Sequence, residues 1–259
     1  MPSPTRVVFV HLMKTGGLGV SHLLREVLHE DECYPPTSAV ERKVSTDLLV
    51  AEPPEVLARM RFFTVHMPAW ILDVVPGPFV SATVVREPVA RTVSHLRQIS
   101  RTVGDGLSIG ELWEKPVWRD RLTDYQVRML GAPVPGSATS PGPEWAAAVK
   151  DADEETQQEF RDVLKPFFAT GVTDTERIDE MWLGRAIARA ASIDVVGVTE
   201  NLGDFVARLR SVSALPIADQ RVENAASDSQ QPDDDLLQSI HSATGLDQQL
   251  YSFIVSAGY

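Results

Sequence analysis

Arg6-Val7-Val8-Phe9-Val10-His11-Leu12-Met13-Lys14-Thr15-Gly16-Gly17-Leu18-Gly19 lies near the start of this chain, and an amphipathic run follows it at once. Val7, Val8, Phe9, Val10 and Leu12 have strand character and lead into a lysine and three glycines. Val20, Leu23, Leu24, Val27 and Leu28 then recur at helical spacing. A strand, a glycine-rich turn and a helix N-terminus together make an anion site. Glycines let backbone N–H groups converge, the helix dipole favours negative charge, and Lys14 adds a full positive charge. The order predicts a phosphate-bearing nucleotide at the head of the chain. It is not a Walker A loop, because Val8 and Met13 stand where that loop needs glycines before Lys14-Thr15. Gly16, Gly17 and Gly19 do not meet the dinucleotide fingerprint either.

A second stretch has the same logic. Residues 79–85 are rich in strand formers, and Arg86-Glu87-Pro88-Val89-Ala90-Arg91-Thr92-Val93-Ser94-His95 follows them. Arg86 leaves the carboxyl end of a buried strand, where open α/β sheets bind their ligands. Pro88 suits the first turn of the next helix, on which Arg91 and Ser94 follow. Arginine forks and a hydroxyl suit a terminal phosphate dianion. An isolated Arg-Glu-Pro would read as a surface ion pair at a helix start. Two ordered phosphate motifs at two strand–helix junctions favour the ligand reading.

Both stretches resemble the sulfotransferase family that uses 3′-phosphoadenosine 5′-phosphosulfate (PAPS). His11, Lys14, Thr15, Gly16 and Gly17 match its H-x-P-K-T-G-G-T-S loop in order, while Met13, Leu18 and Gly19 depart from it. Arg86 to Ser94 resembles its R-D-P-V-x-R-x-x-S element, with Glu87 for the aspartate. Weaker likenesses follow at Leu122–Gly131, at Arg185–Glu200 with its V-G-x-T-E turn, and at Asp247–Tyr251. The resemblance implies a P-loop-NTPase-like α/β fold, with a central parallel sheet of about four to five strands flanked by helices and a helical C-terminal half. It implies nucleotide binding by Lys14, Thr15, Gly16, Gly17, Leu18, Gly19, Arg86, Arg91 and Ser94, with PAPS as co-substrate, adenosine 3′,5′-bisphosphate as product, and no metal. Leu18 and Gly19 stand where the family carries hydroxyls, so they offer the 5′-phosphate only backbone N–H groups.

Sulfuryl transfer needs stabilisation of the leaving phosphate and a base for the acceptor hydroxyl. Lys14 is the expected group for the first. His66, at the end of the strand-like run 61–65 and just ahead of Pro68, is the expected base. The resemblance supports this, since the family often carries a G-H-x-P element here, with Val65 now in the glycine position. His11 reads as a support of the loop, and His95 as facing solvent or core. Trp70 could line an acceptor pocket or simply pack. Two other readings stay open: a magnesium-dependent nucleotide kinase or NTPase, and a nucleotide-binding relative without turnover.

The 259 residues suffice for a single domain with one well-buried core. The chain shows no apolar run of about eighteen residues, so no membrane span is expected, and a strand beginning near residue 6 leaves no room for a signal peptide. The single cysteine, Cys33, cannot form an internal disulfide. These features together predict a cytoplasmic location. The net charge of −12 disfavours nucleic acid or another polyanion as partner and favours a small hydroxylated acceptor. It also reads as ordinary solubility charge. Arginine outnumbers lysine 19 to 5, a usage associated with GC-rich bacterial genes.

Strands are expected near 6–12, 61–65, 79–85 and 193–198. Helices are expected near 18–29, 88–102, 108–114, 119–130, 144–165, 175–191, 201–213, 233–243 and 246–257. Ser108 and Glu111 make a capping box. The Gly- and Pro-rich segment 131–143 reads as a flexible loop or a lid.

Overall fold

A computed structural model describes residues 5–35, 54–73, 75–103, 106–133, 178–218 and 231–258. Its centre is one five-stranded sheet, all parallel, in the order β2-β3-β1-β4-β5. The strands are β1 (Val7–Val10), β2 (Cys33–Tyr34), β3 (Phe62–Val65), β4 (Val80–Val85) and β5 (Val195–Val198). The helices are α1 (Gly17–Glu26), α2 (Pro54–Arg59), α3 (Pro88–Val103), α4 (Ile109–Trp113), α5 (Pro116–Leu122), α6 (Tyr125–Gly131), α7 (Glu180–Ser192), α8 (Leu202–Ser213), α9 (Asp234–Ala243) and α10 (Gly245–Ser256). The expected α/β class with a parallel sheet and helical cover is what forms, and every described element after β5 is helical.

Alternation along β1 explains the layering, because successive side chains of a strand point to opposite faces. Val7 and Phe9 pack with Val20, Leu24, Phe205 and Leu209 from α1 and α8. Val8 and Val10 pack on the other side with Val127, Leu130, Ala186 and Ile254 from α6, α7 and α10. All four residues of β1 are fully buried, as the central strand of a doubly covered parallel sheet requires. α3, α4 and α9 form a separate apolar cluster around Leu96, Leu112, Trp113 and Ile240.

The expected strand positions hold, β1 trimmed at both ends and the other three at their starts. β2 escaped expectation because it is only two residues long and carries no period of its own. Cys33 lies on it as a buried free thiol. The Ser108–Glu111 capping box forms: Ser108 Oγ accepts the Glu111 N–H at 3.2 Å, and Glu111 Oε2 accepts the Ser108 N–H at 2.8 Å.

The helix expected over 119–130 is two helices, broken at Thr123 and Asp124. Asp124 has φ 44, left-handed backbone that an α-helix cannot continue through. Its carboxylate is used elsewhere, accepting the N–H groups of Leu246 and Asp247 at 2.9 and 3.0 Å. Gly131, expected to open a loop, instead ends α6 against α7. A Cβ there would lie 2.4 Å from the Trp182 carbonyl oxygen. The remainder of that proposed loop or lid, 134–143, and the helix expected over 144–165 lie outside the described residues, as do 175–177 of the next expected helix. No helix among the described residues is long and apolar enough to cross a membrane.

Candidate functional site

Strand register places the candidate side chains. Val10 pairs with Val65, so His11 and His66 leave neighbouring parallel strands side by side. Val85 pairs with Val198, which brings Arg86 beside Thr199 in the same way. All four residues therefore meet at the carboxyl edge of the sheet, where β1 is flanked by β3 on one side and β4 on the other.

The loop between β1 and α1 is tightly held. Lys14 has φ 69 and Gly16 φ 84, so two of three consecutive residues are left-handed and the chain turns sharply into the helix. A lysine in that conformation is strained, and such strain persists where surrounding structure over-determines it. Here the surroundings are visible. Thr15 is fully buried and donates its hydroxyl to the Leu12 carbonyl at 2.9 Å. Arg86 Nη1 donates to the Lys14 carbonyl at 3.2 Å. Thr199 Oγ1 bonds the Thr15 carbonyl at 2.8 Å and the Val85 carbonyl at 3.1 Å. Met13 N–H reaches the Tyr125 hydroxyl at 3.4 Å.

Gly17 is the first residue of α1 and has a separate reason to be glycine. A Cβ there would lie 2.2 Å from His11 Cδ2 and 2.3 Å from its Nε2. The buried His11 ring is therefore the floor beneath the loop. Gly16 caps α1 without a side-chain acceptor, and the first turn holds no acidic residue. No carboxylate of the helix's own first turn compensates its positive end. Leu18 points outward, 67% exposed, and Gly19 is half-buried.

At the second junction Glu87 does not act mainly as a partner of Arg86. Its two carboxylate oxygens accept the Val89 and Ala90 N–H groups at 3.0 and 2.7 Å, closing the start of α3. Arg86 keeps its Nε buried and, among the described residues, without a hydrogen-bond partner. Ser94 lies half-buried further along α3.

Arg91 does not stand with these groups. It is 0% exposed, and its Nη2 donates to Leu122 O and Thr92 Oγ1, both at 3.1 Å. Its guanidinium lies 4.4 Å over the Tyr125 ring. Arg91 faces the interior and supports α3 and α6, which the spacing of R-x-x-x-x-R in the sequence could not reveal.

His66 and His11 stack obliquely, with ring centroids 4.2 Å apart. His66 Nδ1 lies 2.9 Å from the His11 carbonyl oxygen. A carbonyl only accepts, so Nδ1 carries the proton and Nε2 is left with its lone pair. His66 is exposed, yet desolvation by the surrounding protein lowers its pKa, although the bond to the His11 carbonyl opposes the shift. Burial likewise lowers His11 well below the usual range, with the charges of His66 and Lys14 adding to it. Lys14 is lowered by desolvation first and then by Arg101 and Arg86.

Sequence reasoning missed His95. Burial and the charges of Arg91, Lys14 and His66 push it down to about 3, so it is a neutral imidazole beside the same cluster. It also missed Arg101, whose charge acts on Lys14. The available signal was the run Ser94, Arg97, Arg101, spaced so that all three share one face of α3.

No protein-family model matches this chain, and no curated protein matches it.

Proposed function

We propose that this protein is a sulfotransferase that moves the sulfuryl group of PAPS to a hydroxyl of a small, uncharged or weakly charged acceptor. The observation that carries the reading is the bond from Arg86 Nη1 to the Lys14 carbonyl, 3.2 Å long, which joins two anion motifs 72 residues apart. The carboxyl edge of the sheet then offers the N-terminus of α1 and Lys14 for the 5′-phosphosulfate. Arg86, whose Nε has no hydrogen-bond partner among the described residues, and Ser94 on α3 are assigned to the 3′-phosphate. Arg91 acts from beneath, as support for the helix that bears Ser94.

The nucleotide supplies the sulfuryl group; the chain's own residues do the rest. His66 Nε2 takes the acceptor's hydroxyl proton as the acceptor oxygen forms its bond to sulfur. The bond between sulfur and the bridging oxygen breaks, and its electron pair stays on the departing phosphate. Lys14 neutralises the charge that grows there. His66 suits this role because the His11 carbonyl fixes its tautomer and desolvation keeps it neutral.

Leu18 favours a second reading. Its side chain is 67% exposed and offers no hydroxyl to the 5′-phosphate, as in a nucleotide-binding relative without turnover. Incubation with PAPS and a panel of phenols, sterols and glycosides, followed by measured release of adenosine 3′,5′-bisphosphate, separates the two. Acceptor-dependent release that disappears in Lys14→Ala supports the enzyme. Tight nucleotide binding with no release from any acceptor supports the second reading.

A further inference from the structure

Pairing between β4 and β5 ends at Val85 and Val198, so the backbone of Arg86 has passed beyond its last strand partner. A side chain takes the place of the missing strand. Arg86 N–H donates to Gln126 Oε1 at 2.9 Å, and Gln126 Nε2 donates back to the Arg86 carbonyl at 2.9 Å. Gln126 is fully buried, and the two backbone groups dictate which end of its amide is oxygen. One carboxamide thus satisfies both polar groups of the residue that bears the candidate phosphate fork.

Gln126 is itself locked in place. Its own N–H donates to Asp247 Oδ2 at 3.1 Å, and the next N–H, of Val127, donates to Asp247 Oδ1 at 2.7 Å. Asp247 lies in the first turn of α10 and so covers the start of α6. Asp124, just before α6, returns the arrangement by accepting the N–H groups of Leu246 and Asp247 at the start of α10. Two helix N-termini therefore cap each other, and Gln126 projects from that joint to Arg86. Tyr125, beside it, accepts the Met13 N–H of the phosphate loop. The first turn of α6 touches both anion motifs.

We infer that Gln126 is a positioning residue for 3′-phosphate recognition. It sets the direction in which Arg86 leaves β4, and thereby aims a guanidinium whose Nε has no hydrogen-bond partner among the described residues. The inference rests on the nucleotide reading above and adds to it a residue that touches no substrate atom. Without the carboxamide, Arg86 N–H and C=O lose their partners in a partly buried place, and relaxation of that backbone turns the fork away.

The test compares two nucleotides on the full chain by titration calorimetry: adenosine 3′,5′-bisphosphate and adenosine 5′-monophosphate, which differ only in the 3′-phosphate. The wild-type protein is expected to prefer the bisphosphate. Gln126→Met, similar in length and without amide groups, is expected to reduce that preference about tenfold, while affinity for the monophosphate stays within about twofold. Gln126→Glu keeps an acceptor for the Arg86 N–H but turns a carboxylate oxygen toward the Arg86 carbonyl in place of the amide donor, so the preference is expected to fall in this variant too. It also carries the comparison should Gln126→Met not fold. An unchanged preference in these variants, with only the melting temperature lowered, would make Gln126 a purely structural residue and overturn the inference. A wild-type protein with no preference for the bisphosphate would instead overturn the nucleotide reading, and the inference with it.

Discussion

His66 donates its Nδ1 proton to the backbone carbonyl of His11, 2.9 Å away, across the ends of two paired strands. The bond fixes which nitrogen can act as a base, and the strand register fixes where it sits. His66→Ala is expected to slow sulfuryl transfer about 10²- to 10⁴-fold, the range for loss of a general base. The working form is the neutral imidazole. Its pKa lies below the ordinary 6.5 because desolvation outweighs the bond to His11. The rate should therefore stay level as pH falls through 6.5 and decline only at more acid values. An acid limb centred at or above 6.5 in kcat/KM would contradict this assignment.

Gly17 and Gly184 make a matched pair for stability. A methyl group at Gly17 would collide with the His11 ring, at 2.2 Å from Cδ2, whereas one at Gly184 in α7 meets nothing within 4 Å. Gly17→Ala is expected to destabilise by about 1–3 kcal/mol through overpacking. Gly184→Ala is expected to stabilise by about 0.5–1 kcal/mol through helix propensity. Urea denaturation of the two variants checks both signs at once.

Thr199 ties the phosphate loop to the end of β4 through one hydroxyl shared by the carbonyls of Thr15 and Val85. Thr199→Val keeps the shape and leaves both buried carbonyls without that donor. A loss of about 1–3 kcal/mol is expected, together with weaker nucleotide binding. Thr199→Ser, which retains the hydroxyl, should recover most of the binding. Equal loss of binding in both variants would sever the link between the hydroxyl and the loop.

Asp247 makes stability depend on pH. Burial raises its pKa to about 7 from 3.8, against the opposing pull of Arg91. Between those values the native protein holds a proton that the unfolded chain has released. Its contribution to stability therefore falls as pH rises from about 4 to 7 and stays low above that. His95, lowered to about 3, acts in the opposite sense below 6.5, because there the unfolded chain binds the extra proton. Asp247→Asn leaves His95 unchanged, so the difference in melting temperature between wild type and variant isolates the carboxyl. The wild-type advantage should shrink between about pH 5 and pH 8. A constant difference would mean that Asp247 does not titrate in that window.

The parallel sheet was readable because β1 is an unbroken apolar run and β4 a run of small and β-branched residues, both buried on both faces and leading into the Lys14 and Arg86 motifs. The capping box at Ser108 was readable too, since its side chain acts on a residue within its own turn. What the sequence hid is long-range. Arg91 and Arg86 are the same residue type in one motif, yet one is enclosed by Leu122, Thr92 and Tyr125 while the other lies at the strand edge. The break at Asp124 depends on a partner helix more than a hundred residues later, with a separation of 122 to Leu246. The role of Gln126 depends on a strand that stops one residue short of Arg86. None of these is written in a local period or a cap.

The account stands or falls on a 3′-phosphate site at the joined loop. Its most direct test is a thermal melt with adenosine 3′,5′-bisphosphate in EDTA, run beside ATP with magnesium. The bisphosphate, at a hundred times its dissociation constant, is expected to add about 2.7 kcal/mol and to raise the melting temperature by several degrees without metal. No shift with the bisphosphate, or a shift confined to magnesium-ATP, would contradict it.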